Sequence, residues 1–137
     1  MVSRHTNSGF WRNMLTYHVP VILYAGAVIA VSSVPNLKTP SVRFFAVDKL
    51  AHFIEYAIFG FLTFRSFSHL KEGIGVNLAL LLSILFLSIF AVVDEYHQRF
   101  IPGRQADVAD VATDLLGSVL VIVFMWLRHR REGTPEG

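Results

Sequence analysis

Acidic residues and a histidine recur at helical spacing within an otherwise apolar chain. One set is spaced i, i+4, i+7 and consists of Asp48, His52 and Glu55. A second set is spaced i, i+3, i+7 and consists of Asp107, Asp110 and Asp114. Both spacings place their members on one face of a helix. Carboxylates beside an imidazole are typical of general acid–base sites and of sites for a divalent cation.

A third polar set ends a long uncharged stretch and comprises Asp94, Glu95 and Gln98. If the helix continues to Gln98, then Asp94 and Gln98 stack one turn apart. The pair Pro102-Gly103 indicates a turn after this set, and Arg104 follows it directly. Arg104 is therefore a candidate for binding a phosphate or a carboxylate.

Four mostly apolar segments carry these sets, and each is long enough to span a bilayer, which takes about 20 helical residues. We predict an all-α integral membrane bundle whose four transmembrane helices cover about 15–35, 47–67, 76–95 and 107–128. The segment 1–14 precedes this membrane domain (15–128), and the tail 129–137 follows it. A cleaved signal peptide is the alternative for the first segment, but its length and the later apolar segments favour a retained helix.

The composition excludes an ordinary soluble domain. Hydrophobic residues make up 53% of the chain and charged residues 16%, against about 25% charged residues in soluble domains. The lipid bilayer is therefore the predicted partner. The net charge of +2 does not indicate nucleic acid, because the basic residues flank apolar runs instead of clustering on one face. The absence of cysteine excludes disulfides, thiolate catalysis and cysteine-ligated metals.

Lys and Arg near the helix ends predict the orientation of the bundle. With four spans, both termini and the middle loop share one side, which carries Arg4, Arg12, Arg65, Lys71, Arg128, Arg130 and Arg131. The opposite side carries Lys38, Arg43, Lys49, Arg99 and Arg104. This difference predicts that both termini are cytoplasmic and that the polar sets lie at the non-cytoplasmic end.

The three polar sets are predicted to converge in one pocket. The second and fourth helices begin at the outer surface and the third ends there, so their polar residues share one level. Glu55 and Asp114 each lie about 10 Å inside the first acid of their helix, at about 1.5 Å per residue. An ionisable group at that depth costs at least about 2.5 kcal/mol against lipid, which favours a shared cavity open to outer water.

The predicted pocket contains more acids than fixed bases. The acids are Asp48, Glu55, Asp94, Glu95, Asp107, Asp110 and Asp114. The bases are Lys49, Arg99 and Arg104. Protonation of some carboxyl groups, a bound divalent cation or a cationic group of a ligand would each resolve this imbalance.

Structural interpretations remain open for most of these residues. Asp48 and Asp107 fit helix N-caps. Glu55 and Tyr56 fit an interhelical hydrogen-bond pair. The residues that fit buried or interfacial structural roles are His52, Asp94 and Glu95. Asp114 is the hardest to explain in this way, because it lies a third of the way into an apolar helix.

Three motifs, in this order, resemble signatures of the VanZ-like family over about residues 15–127. The first is Asp48-Lys49-x-x-His52-Phe53-x-x-Tyr56-x-x-x-Gly60. The second is Asp94-Glu95-x-x-Gln98-x-Phe100-x-Pro102-Gly103-Arg104, and the third is Asp110-x-x-x-Asp114-x-x-Gly117. Gly60 and Gly117 are expected to allow close approach of helices. One departure is Asp114, where the family often carries Asn.

The resemblance implies a multi-pass protein of the bacterial cytoplasmic membrane. The founding member of the family is linked to resistance to teicoplanin, a glycopeptide antibiotic that bears a lipid tail. Glycopeptide tolerance is therefore an expectation for this chain. The resemblance implies a compartment and a phenotype, but no reaction mechanism.

The first functional hypothesis is an enzyme that acts at the outer leaflet on a lipid, a lipid-linked cell-envelope molecule or a lipid-tailed drug. Its candidate catalytic residues are Asp48, His52, Glu95, Asp110 and Asp114. Its candidate substrate-binding residues are Lys49, Glu55, Tyr56, Gln98 and Arg104. A divalent metal ion is the candidate cofactor, with Asp48, His52, Asp94 and Asp114 as ligands.

Two further hypotheses involve no turnover. A binding or accessory membrane protein would use the same cavity to sequester a ligand. A structural bundle would use the polar network only to fix the register of its helices. Whether the chain is an enzyme stays open at the level of sequence.

Overall fold

The computed structural model describes residues 5–35, 42–70, 74–104 and 106–132. All regular secondary structure in these ranges is helical, which confirms the predicted all-α class. The long apolar runs form helices because leucine, alanine and phenylalanine fill them, and the segments 42–67, 76–98 and 108–132 contain no proline.

The first helical rod has three parts that continue one another. These parts are α1 (His5–Asn13), a π-helical turn (Met14–His18) and α2 (Val19–Ser32). Pro20 lies in the first turn of α2, where proline is best tolerated in a helix. The rod ends at Ser33, whose backbone N–H donates to the carbonyl oxygen of Ile29 at 3.0 Å.

Three further helices follow: α3 at Val42–Phe67, α4 at Val76–Gln98 and α5 at Val108–Glu132. Counting the first rod as one helix, the described chain forms four. Compared with the predicted bounds, α3 begins earlier, at Val42 instead of 47. The helix α4 continues to Gln98 instead of 95, and α5 continues to Glu132 instead of 128.

Three of the described helices are long and apolar enough to cross a membrane: Gly9–Ser32, Val76–Gln98 and Val108–Glu132. The helix α3 is not among these three. Its length of 26 residues suffices, but charged residues such as Asp48, Lys49 and Glu55 lower its hydropathy. A fourth membrane span on α3 therefore stays a prediction.

The core of the bundle is aromatic and aliphatic. Phe59, Leu87 and Ile122 are fully buried, and the Phe59 ring packs edge-on against Phe90 with centroids 4.9 Å apart. By contrast, large apolar side chains are exposed along the outer faces of the helices, among them Leu23, Leu81, Ile89 and Phe124. An exposed apolar surface of this kind fits a lipid environment.

Two glycines let α3 and α5 pack closely, as their positions in the motifs predict. A Cβ atom on Gly117 would overlap the backbone carbonyl oxygen of Phe53. A Cβ atom on Gly60 would lie 2.9 Å from the carbonyl oxygen of Ser118. Real Cβ atoms do not approach backbone so closely, so glycine is needed at both positions. This contact fixes how the polar faces of α3 and α5 meet.

Candidate functional site

The polar sets of α3, α4 and α5 meet at one end of the bundle, where α3 and α5 begin and α4 ends. The side chains of Lys49 and His52 turn inward from α3, with 15% and 12% of their surface exposed. From α5 and α4 the buried carboxylates of Asp110, Asp114 and Asp94 face the same interior.

Lys49 joins α3 to the beginning of α5. Its Nζ atom lies 2.9 Å from Asp107 Oδ2 and also donates a hydrogen bond to Asp110 Oδ1. Asp107 caps α5, because its Oδ1 atom accepts the backbone N–H of Ala109 at 2.9 Å. The hydrogen bond from Lys49, and then that from Ala109, holds the pKa of the Asp107 carboxyl below its usual value.

His52 and Asp114 form a pair inside the bundle. His52 Nδ1 lies 3.0 Å from Asp114 Oδ1, and only 1% of Asp114 is exposed. An ionised carboxylate only accepts hydrogen bonds, so this contact assigns the proton to Nδ1. The other ring nitrogen, Nε2, then points toward Asp110, whose Oδ1 atom is 3.8 Å away. Asp114 thereby orients the imidazole.

Asp48, His52 and Asp110 are placed so that they could hold a metal ion. One ligand atom from each of them lies within 4.8 Å of the other two. A metal ion held through His52 Nε2 would leave Asp114 bonded to Nδ1, as a carboxylate behind a metal-binding histidine is. Three protein ligands with a free position are typical of catalytic metal sites.

This trio differs from the metal ligands predicted from the sequence. Asp110 takes part instead of Asp94 and Asp114. Asp110 and Asp114 share one face of α5, so the difference lies in their position along the helix axis: Asp110 is one turn nearer the helix start than Asp114. Asp94 lies on α4 and has other partners.

Asp94 ties α4 to α2. Its Oδ2 atom accepts hydrogen bonds from Ser32 Oγ at 2.9 Å and from Gln98 Nε2 at 3.3 Å. The expected stacking of Asp94 and Gln98 on one helical face is therefore present. Its Oδ1 atom is buried and has no hydrogen-bond partner among the described residues.

Two residues of the predicted site support the backbone instead. Glu95 accepts the backbone N–H of Asp107, so it holds the start of α5. Arg104 donates from Nη2 to the carbonyl oxygen of Val31 at 2.9 Å and from Nε to that of Val34 at 3.4 Å. These bonds satisfy carbonyl groups at the end of the first rod.

Two structural interpretations from the sequence are wrong. Asp48 lies well inside α3, which begins at Val42, so it is not the N-cap of that helix. The hydroxyl of Tyr56 is buried and has no hydrogen-bond partner among the described residues, so the predicted interhelical bond of Tyr56 is not formed. Glu55 contributes its backbone carbonyl oxygen, which accepts the Tyr24 hydroxyl at 3.0 Å.

A family model described as VanZ/LLP1 matches residues 4–129, which is nearly the whole chain. The chain belongs to the VanZ/LLP1 family. This confirms the resemblance carried by the three motifs. No curated protein and no solved structure matches the chain. With its three apolar helices, this VanZ/LLP1 protein is a multi-pass membrane protein.

Sequence reasoning missed the contribution of the first rod to the site of this VanZ/LLP1 protein. Ser32 bonds to Asp94, and Ser33 Oγ lies 3.0 Å from His97 Nε2. The only signal in the sequence is the pair of serines at the end of an apolar run. That signal equally fits a simple helix end, so it does not identify the partners.

Proposed function

We propose that this VanZ/LLP1 protein spans the bacterial cytoplasmic membrane four times, with both termini cytoplasmic and the polar site at the outer leaflet. The inward direction of Lys49 and His52 supports a membrane span on α3. Asp107 and Asp110 meet the charge of Lys49, and Asp114 bonds to the His52 ring, so neither side chain needs to face lipid.

We infer that the site acts on an amphiphile of the cell envelope, either a lipid or a lipid-linked molecule. The observation that carries this inference is the arrangement around His52. Asp114 fixes one ring nitrogen, Asp110 Oδ1 lies 3.8 Å from the other, and Asp48 lies close to both His52 and Asp110. An oriented imidazole beside carboxylates is suited to proton transfer at a reacting group, and its depth suits a substrate anchored in the bilayer.

Each residue has a proposed role in this chemistry. His52 moves the proton, and Asp114 is its positioning residue. Asp48, His52 and Asp110 would hold a divalent cation, which would polarise a phosphoryl or carbonyl oxygen of the substrate. Lys49 supplies the positive charge that keeps Asp110 in place. The residues proposed to contact substrate are Glu55, Tyr56, Gln98 and Arg104.

Binding without turnover is the second candidate. The contacts of Lys49 favour it, because this cation is bonded to Asp107 and Asp110 instead of being left to stabilise charge that develops in a reaction. Such a site would recognise an amphiphile, including a lipid-tailed glycopeptide such as teicoplanin, and retain it at the outer surface. Glycopeptide tolerance would then follow from sequestration instead of a reaction.

Metal analysis of the purified protein tests the proposal. We expect stoichiometric Zn²⁺ or Mn²⁺ after reconstitution and dialysis, lost in Asp48→Asn, His52→Gln and Asp110→Asn. Asp107→Asn is the matched control, because Asp107 bonds to Lys49 outside the trio. The same four variants are compared for teicoplanin tolerance in cells. Mass spectrometry of incubated envelope lipids and teicoplanin distinguishes turnover from binding.

A purely structural network would give a different result. All four variants would then keep wild-type metal content and tolerance and lose only thermal stability. That outcome would overturn the proposed function.

A further inference from the structure

A cluster of aromatic and basic side chains lies at the end of the bundle opposite the polar site. Tyr17 of the π-helical turn stacks on the His69 ring, with ring centroids 3.7 Å apart and planes inclined by 9°. The guanidinium carbon of Arg65 lies 4.8 Å from the centre of the same Tyr17 ring. We call Tyr17, Arg65 and His69 the Tyr17 cluster. Arg65 follows His52 by 13 residues on α3, about 20 Å along the helix axis, so the cluster is separate from the polar site.

Two consecutive residues of the π-helical turn contact α3. Tyr17 contacts Arg65 and His69. The next residue, His18, has its Nδ1 atom 2.7 Å from Ser66 Oγ. This hydrogen bond holds the first rod against α3, so the fold fixes the position of the Tyr17 ring. Short π-helical turns inside longer helices are frequent at functional sites.

The guanidinium group of Arg65 is a positive charge without a carboxylate partner in the described part of the chain. The side chain is half-buried, and its recorded contact there is the Tyr17 ring. Of the described acids, only Glu132 lies at this end of the bundle, and it accepts a hydrogen bond from Arg128 at 2.9 Å. A guanidinium has five N–H donors and is suited to binding oxyanions. An anion from outside the chain is therefore the expected partner of Arg65.

His69 adds a hydrogen-bonding group beside this charge. Its Nδ1 atom donates to the backbone carbonyl oxygen of Arg65 at 2.8 Å, because a carbonyl oxygen can only accept. In the neutral imidazole the other ring nitrogen, Nε2, is then an acceptor. The His69 side chain is exposed, so a ligand can reach it. The two residues therefore fit a ligand that offers an oxyanion to Arg65 and a hydroxyl group to His69.

The neighbouring helix ends indicate that the cluster lies at a membrane interface. At this end of the bundle, Trp126 of α5 donates from Nε1 to Asn77 Oδ1 of α4 at 2.8 Å. The guanidinium carbon of Arg130 lies 5.0 Å from the centre of the Trp126 ring. Tryptophan and tyrosine concentrate at the level of the lipid headgroups, and basic residues at that level attract anionic lipids. The oxyanion nearest to Arg65 is therefore the phosphate of a phospholipid.

We propose that the Tyr17 cluster binds the headgroup of an anionic phospholipid that carries a hydroxyl group, as phosphatidylglycerol does. The phosphate accepts hydrogen bonds from Arg65, and the headgroup hydroxyl donates to His69 Nε2. Both side chains contact the Tyr17 ring, so a single headgroup can reach them. This inference goes beyond the proposed function and does not depend on it. On the proposed topology, the lipid belongs to the cytoplasmic leaflet.

Native mass spectrometry of the full chain in detergent, titrated with single lipids, tests the inference. Phosphatidylglycerol is compared with phosphatidylcholine, which has the same phosphodiester but carries a cationic headgroup without a hydroxyl. We expect one phosphatidylglycerol to bind about tenfold more tightly, because it forms one more hydrogen bond and brings no positive charge. Soluble glycerol 3-phosphate at the same concentration should not displace the lipid.

Variants of the three residues separate their contributions. Arg65→Gln should weaken phosphatidylglycerol binding about ten- to a hundredfold, the range of a hydrogen bond to a charged group. His69→Ala should remove the preference over phosphatidylcholine. Tyr17→Phe keeps the ring and should keep binding, whereas Tyr17→Ala should weaken it. Arg12→Gln is the matched control, because Arg12 is an exposed arginine of the same rod that is not part of the Tyr17 cluster. Thermal unfolding of each variant reports whether it is folded.

Equal losses in Arg65→Gln and Arg12→Gln would show a general attraction of basic residues for anionic lipid and would overturn the inference. Equal affinity for the two phospholipids, or displacement by glycerol 3-phosphate, would overturn it as well. His52→Gln separates the inference from the proposed function, since that variant should lose the metal ion and keep phosphatidylglycerol binding. Selective lipid binding by a protein without any metal or tolerance phenotype would refute the proposed chemistry and support the Tyr17 cluster.

Discussion

His52 depends on a partner that is distant in sequence but adjacent in space. Its ring is held by Asp114, 62 residues later in the chain, and both side chains are largely buried. An Asn side chain at this position would offer an amide oxygen that can also accept the Nδ1–H bond. The feature that matters at this position is therefore a hydrogen-bond acceptor for the imidazole. The negative charge of Asp114 strengthens that hydrogen bond.

Asp114→Leu and Asp114→Asn test this point. Asp114→Leu removes the acceptor, so we expect metal affinity to fall about 10- to 100-fold, as when a partner behind a metal ligand is lost. Asp114→Asn should lower the metal affinity less, because the Asn amide oxygen still accepts the hydrogen bond. Calorimetric titration with Zn²⁺ measures both. Thr113→Val is the control, because Thr113 bonds only to the carbonyl of Ala109 on another face of α5. Equal losses in the two Asp114 variants would contradict the idea.

The pair formed by Lys49 and Asp107 should give the protein a pH dependence. The pKa of Asp107 is lowered in the folded protein, so the pair stabilises the fold fully above the ordinary carboxyl pKa of about 3.9. This stabilisation is lost as the pH falls through the lowered value. Asp107→Asn keeps a good N-cap and removes the charge.

We therefore expect the free energy of unfolding of the wild type to exceed that of Asp107→Asn at neutral pH by at most about 1 kcal/mol, because the Asp107 side chain is 45% exposed. The difference should shrink below about pH 4. Thermal unfolding midpoints measured across this pH range check the prediction. A difference that stays constant with pH would show that charge is not its cause.

The contact between α3 and α5 organises the site at the level of helices. Gly117 lies against the backbone of Phe53, one residue after His52, so this contact fixes the rotation of α5 relative to the histidine. In the first rod, by contrast, Gly26 has nothing within 4 Å of a Cβ position. The two glycines therefore differ in what surrounds them, although both lie in apolar helices.

Gly117→Ala should destabilise the bundle by about 1–3 kcal/mol, the usual cost of overpacking. It should also weaken metal binding, because α5 must move away from His52. Gly26→Ala is the matched control and should leave both unchanged. Unfolding in detergent and the Zn²⁺ titration measure the two effects. A Gly117→Ala protein with wild-type stability would mean that the two helices are not in tight contact.

The sequence predicted the helices and the convergence of their polar faces, because spacing determines which residues share a face. It placed Asp48, His52 and Asp110 in one pocket but did not predict Asp110 as a member of the possible metal-binding trio, since that depends on how far α5 is shifted along α3. The sequence also did not predict the contacts of Arg104 with the carbonyl groups of Val31 and Val34. They join positions about 70 residues apart, and the path of a loop is not encoded in local spacing.

At the scale of the whole molecule, the proposed orientation puts the polar site outside and both termini inside. The native chain contains no cysteine, so single cysteines can report this directly. Leu70 follows α3, and Phe100 follows α4, and both are exposed. On the proposed topology these two positions lie on opposite sides of the membrane.

A membrane-impermeant maleimide should label Phe100→Cys in intact spheroplasts. Leu70→Cys should react only after the membrane is permeabilised, and it then serves as the control for intrinsic reactivity. Gel-shift analysis of the labelled protein measures both. The reverse labelling pattern would show an inverted bundle with its polar site facing the cytoplasm.

The reliance of α3 on α5 also has a consequence for biosynthesis. Lys49 and His52 leave the ribosome about 60 residues before the aspartates to which they bond. A nascent chain that ends before Asp107 therefore presents a helix with charged groups and no counter-charges. On the proposed topology, the translocon would retain this helix, or release it only partly inserted, until the last segment arrives, and α5 would then complete the membrane integration of α3.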